Sequence, residues 1–253
     1  MKRFFVPVLM LAIATTSCSK NDSTPETGTS VNKLYRVVNS GPTGAYAHTY
    51  NYGANKMVIK DSTETGTWAD SVVFTNNRPS ALIGADKNYT FEYNANGQVL
   101  KAVLFEDRYD SLVYNQDGTV ATVFEFQYGT VRESRQFTWA NGNITQMIRL
   151  YNGNTPQTIY KYSYDDKINP YYNVASSLLW YYIDDFYFGS KNNITKITLS
   201  DANTPNEIYE VNTYTYTYNS DNQPATCIFK NGDTEAEMNV LENLVYQYKT
   251  STN

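Results

Sequence analysis

This sequence has few of the residue types that most often carry chemistry. It holds one histidine, His48, and two cysteines, Cys18 and Cys227. A single histidine excludes a histidine-rich metal site, and a serine–histidine–aspartate arrangement would depend on that one residue. Because only one cysteine follows Cys18, the region after Cys18 has no disulfide of its own. Its stability must therefore come from packing.

The chain also lacks an excess of positive charge and, after Cys18, a long apolar run. No stretch there approaches the roughly 18 consecutive apolar residues of a membrane helix. Lysine and arginine total 20 against 25 acidic residues, which gives a net charge of −5. Nucleic-acid binding needs clustered positive charge, so we expect no nucleic-acid partner. Since no glycine-rich phosphate-binding loop is present either, we expect no cofactor, metal ion or catalytic residue.

The first 17 residues are typical of a secretory signal peptide. A positively charged start precedes residues 4–14, an apolar run that is too short to span a bilayer. Residues 15–18, Thr-Thr-Ser-Cys, resemble the lipobox of bacterial lipoproteins, in which the cysteine is lipidated before cleavage, although the family pattern favours leucine where this chain has threonine. We therefore predict that residues 1–17 are removed and that Cys18 carries the lipid.

The lipidated cysteine is followed by a tether and then by one domain. Residues 18–32 are polar and lack the apolar side chains needed to pack, so they predict a flexible tether. Residues 33–253 are long enough to form one large β domain with its own core.

Within residues 33–253 one unit recurs. An aromatic residue, a spacer and a second aromatic residue precede a turn rich in Asn, Asp and Gly, and a second β-prone stretch follows. Such turn residues tolerate the positive φ of tight hairpins. The clearest turns lie at 94–97, 115–118, 140–143, 165–166 and 219–222, and weaker units lie at 50–56, 74–79 and 186–193. Seven or eight hairpins predict an all-β antiparallel meander of about 14 to 16 strands. Because open edges are a liability, we expect a barrel-like or flattened-barrel shell, with a long twisted sheet as the alternative.

The strands of this tyrosine-rich domain alternate between aromatic and polar residues. Residues 160–164 and 214–218 place tyrosine at every second position, and residues 124–128 show the same alternation with Phe124 and Phe126. A period of two places alternate residues on opposite faces, which predicts an aromatic inner face and a polar outer face. A lipid-facing strand needs an aliphatic band instead, so we expect the barrel to stay in water.

One segment interrupts the repeat. Apolar residues at helical spacing predict a short helical insertion there. A closed ring of about fourteen strands is wider than its own side chains can fill, so we expect residues 169–188 to plug or cap one end of the shell and to contact any ligand. The segment could form a buried plug or an exposed aromatic platform. Its candidate ligand-binding residues are Tyr171, Tyr172, Trp180, Tyr181 and Tyr182.

The hairpin unit, Y-x-Y-[ND]-x-x-[GN], resembles the tyrosine-aspartate (YD) repeats of spiral β shells. The chain from 34 to 249, with Asp-Lys-Ile-Asn-Pro at 166–170 and Ser-Lys-Asn-Asn at 190–193, resembles a domain-of-unknown-function family of Gram-negative envelope lipoproteins with a porin-like β fold. This resemblance implies a barrel-like fold and an envelope location, and it implies no activity.

The remaining chemical groups have structural interpretations. His48 is in phase with neighbouring tyrosines, so we expect it to stack in the aromatic face. Cys227 lies in a β-prone run, which predicts a small buried side chain. For the acidic pairs at 165–166 and 184–185 we favour a structural role in turns. Calcium binding and carboxylate catalysis are the alternatives.

These patterns favour a membrane-anchored envelope lipoprotein that serves as a non-enzymatic binding or scaffold module. The alternatives are a glycan-binding accessory lipoprotein of a nutrient-uptake system and a carboxylate-dependent hydrolase. The candidate partners are the membrane, through the lipid on Cys18, and a glycan or an envelope protein. The polar stretch at 19–22 resembles a surface-export signal, which favours the outer face of the outer membrane over the periplasmic face.

Replacing Cys18 by alanine should move the protein from the membrane fraction to the soluble fraction. Each buried lipid CH₂ contributes roughly 0.8 kcal/mol, so two or more chains on Cys18 give stable anchoring and their loss removes it. Fractionation followed by immunoblotting measures this, with Ser19→Ala as a control that leaves the lipidation site intact. Unchanged fractionation of the Cys18 variant would show that the anchor lies elsewhere.

Overall fold

The computed structural model describes residues 31–85, 88–172, 179, 181–182 and 189–251. Over these residues the chain forms sixteen strands, each antiparallel to its neighbour in sequence, and β1 pairs with β16 to close the barrel. The predicted meander is confirmed, as a closed barrel. The strands are β1 (Val31–Asn39), β2 (Tyr46–Tyr52), β3 (Lys56–Thr63), β4 (Thr67–Thr75), β5 (Arg78–Ile83), β6 (Asn88–Tyr93), β7 (Val99–Phe105), β8 (Arg108–Tyr114), β9 (Val120–Gln127), β10 (Thr130–Ala140), β11 (Asn143–Tyr151), β12 (Thr155–Ile168), β13 (Asn192–Asp201), β14 (Ile208–Tyr218), β15 (Pro224–Gly232) and β16 (Asn239–Ser251).

The two ends of the barrel carry different connections. The connections that follow even-numbered strands all lie at one end, here called the turn end, together with the start of β1 and the end of β16. Residues 169–191, between β12 and β13, connect strands at this end. The connections that follow odd-numbered strands lie at the opposite end. The predicted insertion therefore enters the barrel from the turn end.

The hairpins that follow β6, β8 and β14 at the turn end have similar turns. The Asn94 side-chain oxygen accepts hydrogen bonds of 3.0 Å from the backbone N–H groups two and four residues later, and Asn219 does the same. The fourth turn residue has a positive φ, 78° at Gly97, 86° at Gly118 and 57° at Asn222. Glycine and asparagine adopt this conformation at the lowest cost. The predicted turn chemistry is confirmed at these hairpins.

A β-bulge follows these turns. Tyr93 pairs with Val99, whereas the residue before Tyr93 pairs two positions further along β7, so Leu100 is an extra residue. Ala121 in β9 and Ala225 in β15 are extra residues in the same way. A bulge leaves one residue out of the ladder and shifts the alternation of the strand by one position.

An aromatic side chain reaches each of several bulges from the next even-numbered strand. The Tyr114 hydroxyl donates to the Val99 carbonyl at 2.8 Å, and the Trp139 indole N–H donates to the Val120 carbonyl at 2.8 Å. We call this hydrogen bond the aromatic latch. The other latches join Tyr52 to Leu34 (2.7 Å), Tyr93 to Pro79, Tyr164 to Ile144 (2.7 Å) and Tyr248 to Pro224 (2.9 Å). In these units an aromatic residue near the end of the even-numbered strand is therefore a hydrogen-bond donor, through a hydroxyl or an indole N–H.

The predicted aromatic inner face is confirmed in most strands and wrong in one. Tyr162 is buried in the core and Tyr214 and Tyr216 pack against it. In β9 the phase is reversed: Glu125 faces the lumen, and Phe126 stacks on Tyr109 outside, with ring centroids 4.8 Å apart. The bulge near the start of β9 inserts a residue and inverts the alternation that follows.

The core lies in the middle of the barrel, between the latches and the opposite end. Cys227 is buried in it and free, and burial raises the pKa of its thiol to about 12. The predicted core position of Cys227 is thus confirmed. The fully buried side chains of the core include Leu34, Val37, Val72, Leu82, Val123, Ile144 and Cys227.

Replacing Tyr114 by phenylalanine should lower the free energy of unfolding by about 1–2 kcal/mol, because the ring still fills the core while the Val99 carbonyl loses its donor. Urea denaturation followed by circular dichroism measures the change. Tyr209→Phe on the outer surface is the matched control and should stay within about 0.5 kcal/mol. Equal effects of the two substitutions would show that the latch hydroxyl contributes nothing specific.

Candidate functional site

The lumen changes from aromatic to charged along the barrel axis. The latch rings lie at the turn end, whereas many inward-facing side chains near the opposite end are acidic, basic or amide groups. The charged layer, as we call it, includes Arg108, Asp110, Glu125, Glu133, Arg135, Arg149, Glu210, Asn212 and Asn231. The groups able to bind a polar ligand therefore lie far from the turn end.

Part of the insertion fills the middle of the lumen. Leu179, Tyr181 and Tyr182 are helical, and Leu179 and Tyr182 are buried. Tyr182 contacts two aromatic rings of β6 at centroid distances of 4.8 and 5.4 Å. Tyr171 is buried too, in edge contact with rings of β2 and β16 at 6.2 and 6.3 Å. These residues pack as a plug.

The other candidate residues of the insertion border cavities. Tyr172 is 43% exposed and lines a cavity of about 450 Å³ at the turn end, beside Trp139 and Tyr114. Tyr181 lines a larger cavity on the other side of the plug. Trp180 lies outside the described residues. Ligand contact by these residues stays a prediction.

The larger cavity, here called the lumen cavity, has a volume of about 660 Å³ and lies between the plug and the opposite end of the barrel. Its apolar wall is aromatic: Tyr214 and Phe229 are cross-strand partners whose rings stack at 4.8 Å and 10°. Tyr160, Tyr162 and Tyr181 continue this wall. Strands β12, β14 and β15 thus supply flat ring surfaces to one space.

An amide and carboxylate network forms the polar edge of the lumen cavity. The Asn212 and Asn231 side-chain amides each donate to Glu210 Oε1 at 3.0 Å, and Asn231 also donates to Asn212 Oδ1 at 2.8 Å. Both bonds to Glu210 use one oxygen. The other carboxylate oxygen, Oε2, has no partner among the described side chains and can accept from a ligand.

Two arginines share one buried carboxylate on the facing wall. Arg149 donates through Nε and Nη2 to Glu133 Oε2 at 2.7 and 2.6 Å, and Arg135 Nη2 lies 2.7 Å from Glu133 Oε1. Burial lowers the pKa of Arg135, but Tyr181 and Glu133 raise it more, so the guanidinium stays charged. Arg135 also donates to the Tyr181 hydroxyl, which joins this wall to the plug.

A second group of charges contacts the plug at Asp110. Burial and the neighbouring Glu125 raise the pKa of Asp110 to about 7, against the opposing effects of Tyr182, Arg135 and Arg108. These residues line a cavity of about 230 Å³. Asp110 and Glu125 are directly paired across β8 and β9, so this is a pair of neighbouring carboxyl groups that sequence alone did not reveal.

The other groups singled out in the sequence have structural partners. His48 is in edge contact with the Tyr46 ring at 4.8 Å, as expected, and its Nδ1 also bonds to Asp61. The predicted turn at 165–166 is wrong, because both residues lie within β12. Asp165 accepts hydrogen bonds from Asn193 and Tyr218. The pair at 184–185 lies outside the described residues. Within the described ranges, no three His, Cys, Asp or Glu side chains converge as a metal site, and no helix there is long and apolar enough to cross a membrane.

Sequence reasoning missed the residues of the lumen cavity, although a signal for some of them was present. Glu210 and Asn212 precede Tyr214 at a period of two, and Glu133 and Arg135 precede Phe137 in the same way. That spacing places them on the inner face. What the spacing could not give is their partners, because Glu133 meets Arg149 only across neighbouring strands.

No protein-family model matches this sequence, and no curated protein matches it. Solved structures do match. A porin-like protein from Bacteroides uniformis ATCC 8492 superposes with a TM-score of 0.61 at 11% identity, over 88% of this chain and 99% of that protein. A porin-like protein from Bacteroides vulgatus ATCC 8482 gives 0.42 at 9% identity, over 87% and 99%. The first likeness confirms the predicted porin-like β fold, and at this identity it shows the fold alone.

Replacing Asp110 by asparagine should remove part of the pH dependence of stability. The pKa of Asp110 is about 7 in the folded protein against an ordinary value of 3.8. Between these values the folded state holds a proton that the unfolded chain has lost, so the free energy of unfolding falls as pH rises, by up to about 1.4 kcal/mol per unit. Asparagine cannot ionise, and the decline due to this group should disappear.

Urea denaturation at several pH values from about 4 to about 8 measures the decline. Asp117→Asn is the control: Asp117 is exposed in the turn after β8, and hydrogen bonds to Thr119 lower its pKa, so its replacement should keep the decline in this range. The same pH dependence in the Asp110 variant and the parent protein would contradict the assigned role of Asp110.

Proposed function

We propose that this protein is a non-enzymatic envelope lipoprotein that binds a small ligand inside its barrel. The lumen cavity carries the proposal. Its volume of about 660 Å³ falls within the range of about 300–1,000 Å³ that ligand pockets occupy. Ring surfaces with a few convergent polar groups are also the usual lining of such pockets.

The outer face supports a barrel that stands in water. Lys60, Glu92 and Lys161 alternate with inward-facing aromatic or aliphatic residues near the middle of their strands, and all three are exposed. A lysine facing lipid at the bilayer midplane costs about 2–4 kcal/mol. Membrane attachment is therefore assigned to lipidated Cys18. The porin-like neighbour and the polar stretch after Cys18 support an outer-membrane location, with the domain at the cell surface.

The surroundings of Asp110 and Glu125 suit contact with the plug better than they suit hydrolysis. Their cavity of about 230 Å³ is small for a glycan substrate. Glu125 is paired with Arg108 at 3.2 Å and Arg132 at 3.3 Å, and Tyr182 of the plug lies beside Asp110. Each carboxyl group thus already interacts with protein groups, which supports a binding protein over a hydrolase.

The full-length lipoprotein, purified in detergent micelles, should capture a compound from the small-molecule fraction of a cell extract. After washing and denaturation, mass spectrometry identifies what was held. Asn231→Trp should abolish capture because it places a large ring in the lumen cavity. Ile228→Trp, which puts the same ring on the outer face of the same strand, should keep it.

Two results would contradict the proposal. Capture of nothing by the parent protein would favour a scaffold, and equal capture by both tryptophan variants would place the ligand outside the lumen. Circular dichroism of each variant checks that the barrel still forms.

A further inference from the structure

We infer that the lumen cavity takes a short neutral saccharide, an assignment that rests on the proposed function. Sugars present two kinds of surface, C–H faces that pack on aromatic rings and hydroxyl groups that both donate and accept hydrogen bonds. A site for them needs flat rings beside planar polar groups. The lumen cavity has both on neighbouring strands.

The ring surface comes first from the stacked pair Tyr214 and Phe229. Both rings are only partly buried, and both line the cavity together with Tyr160. The pair is held parallel by its cross-strand position, so little side-chain freedom remains to be lost when a flat ligand packs on it.

Hydrogen-bonding groups line the same cavity as these rings. Glu210 can accept through Oε2, as described above. Arg149 uses Nε and Nη2 on Glu133, and its side chain is 43% exposed although it faces the lumen, so its remaining N–H groups are open to solvent in the cavity. An acceptor on β14 and a donor on β11 suit the hydroxyls of a polyol.

The charge balance of the lining favours a neutral ligand. Arg135 and Arg149 are positive, and Glu133 and Glu210 are negative, so these four groups sum to zero. Glu133 balances one of the two guanidinium charges, and Glu210 supplies the second negative charge of the lining.

The size and position of the cavity set the length of the saccharide. A pocket of about 660 Å³ holds a drug-sized ligand, which corresponds to about two or three linked hexose rings. Glu210 is near the start of β14, and Arg149 and Asn231 are near the ends of β11 and β15. All three positions lie close to the end of the barrel opposite the plug, so entry is from that end.

Isothermal titration of the full-length protein in detergent micelles tests the assignment. The probes are cellobiose, maltose and N-acetyllactosamine, with digalacturonic acid as the anionic comparator and the glucosamine dimer as the cationic one. At least one neutral probe should bind saturably and more tightly than either charged comparator. Phe229→Ala should weaken its binding about tenfold or more, and Glu210→Gln should weaken it too.

Phe126→Ala is the matched control, because Phe126 stacks on Tyr109 with the same centroid distance, 4.8 Å, but on the outer face. Its affinity should stay within about twofold of the parent protein. Equal weakening by Phe229→Ala and Phe126→Ala, tighter binding of a charged comparator, or no saturable binding of any neutral probe would overturn the saccharide assignment. If the extract experiment still captures a compound that Asn231→Trp loses, the proposed function stands without it.

Discussion

The barrel depends on a repeated coupling between a β-bulge and an aromatic side chain. Each bulge takes one residue out of the sheet ladder, and a buried carbonyl without a donor costs about 1–3 kcal/mol. The aromatic latch supplies that donor from the next even-numbered strand while its ring fills the lumen. Trp139 satisfies the same requirement as the tyrosines because its indole also carries an N–H at the far edge of the ring. One side chain thus sets the hairpin register, the core packing and the hydrogen bonding of its unit.

The aromatic latch takes a different form close to the start of the insertion. Tyr218, the last aromatic residue of β14, bonds to the carboxylate of Asp165 instead of a bulge carbonyl, and Asp165 also accepts from Asn193. A side chain on β12 therefore replaces the main chain at this position. On the wall of the barrel, Arg135 and Asp110 contact Tyr181 and Tyr182 of the plug. The charged layer therefore holds the plug in place as well as lining the cavities.

The strands could be predicted from the sequence better than the face that each side chain occupies or the residues with which it pairs. Alternating tyrosines in β12 and β14 were assigned to the correct face. Phe124 and Phe126 were assigned to the wrong face because the extra residue at Ala121 leaves no trace in composition. Barrel closure joins β1 to β16, the two strands furthest apart in the chain, and no local pattern specifies that pairing. The cavity could not be predicted because its lining comes from six strands and the plug.

The first strand begins at the turn end, and this determines where the proposed lipid anchor on Cys18 would join the barrel. Val31 opens β1 beside the hairpin turns and the insertion, so a tether from Cys18 joins the barrel at its plugged end. With the proposed lipid on Cys18, the plugged end would be the end attached to the membrane, and the mouth of the lumen cavity would open at the other end of the barrel. A diffusing molecule can reach the mouth without passing between the barrel and the bilayer.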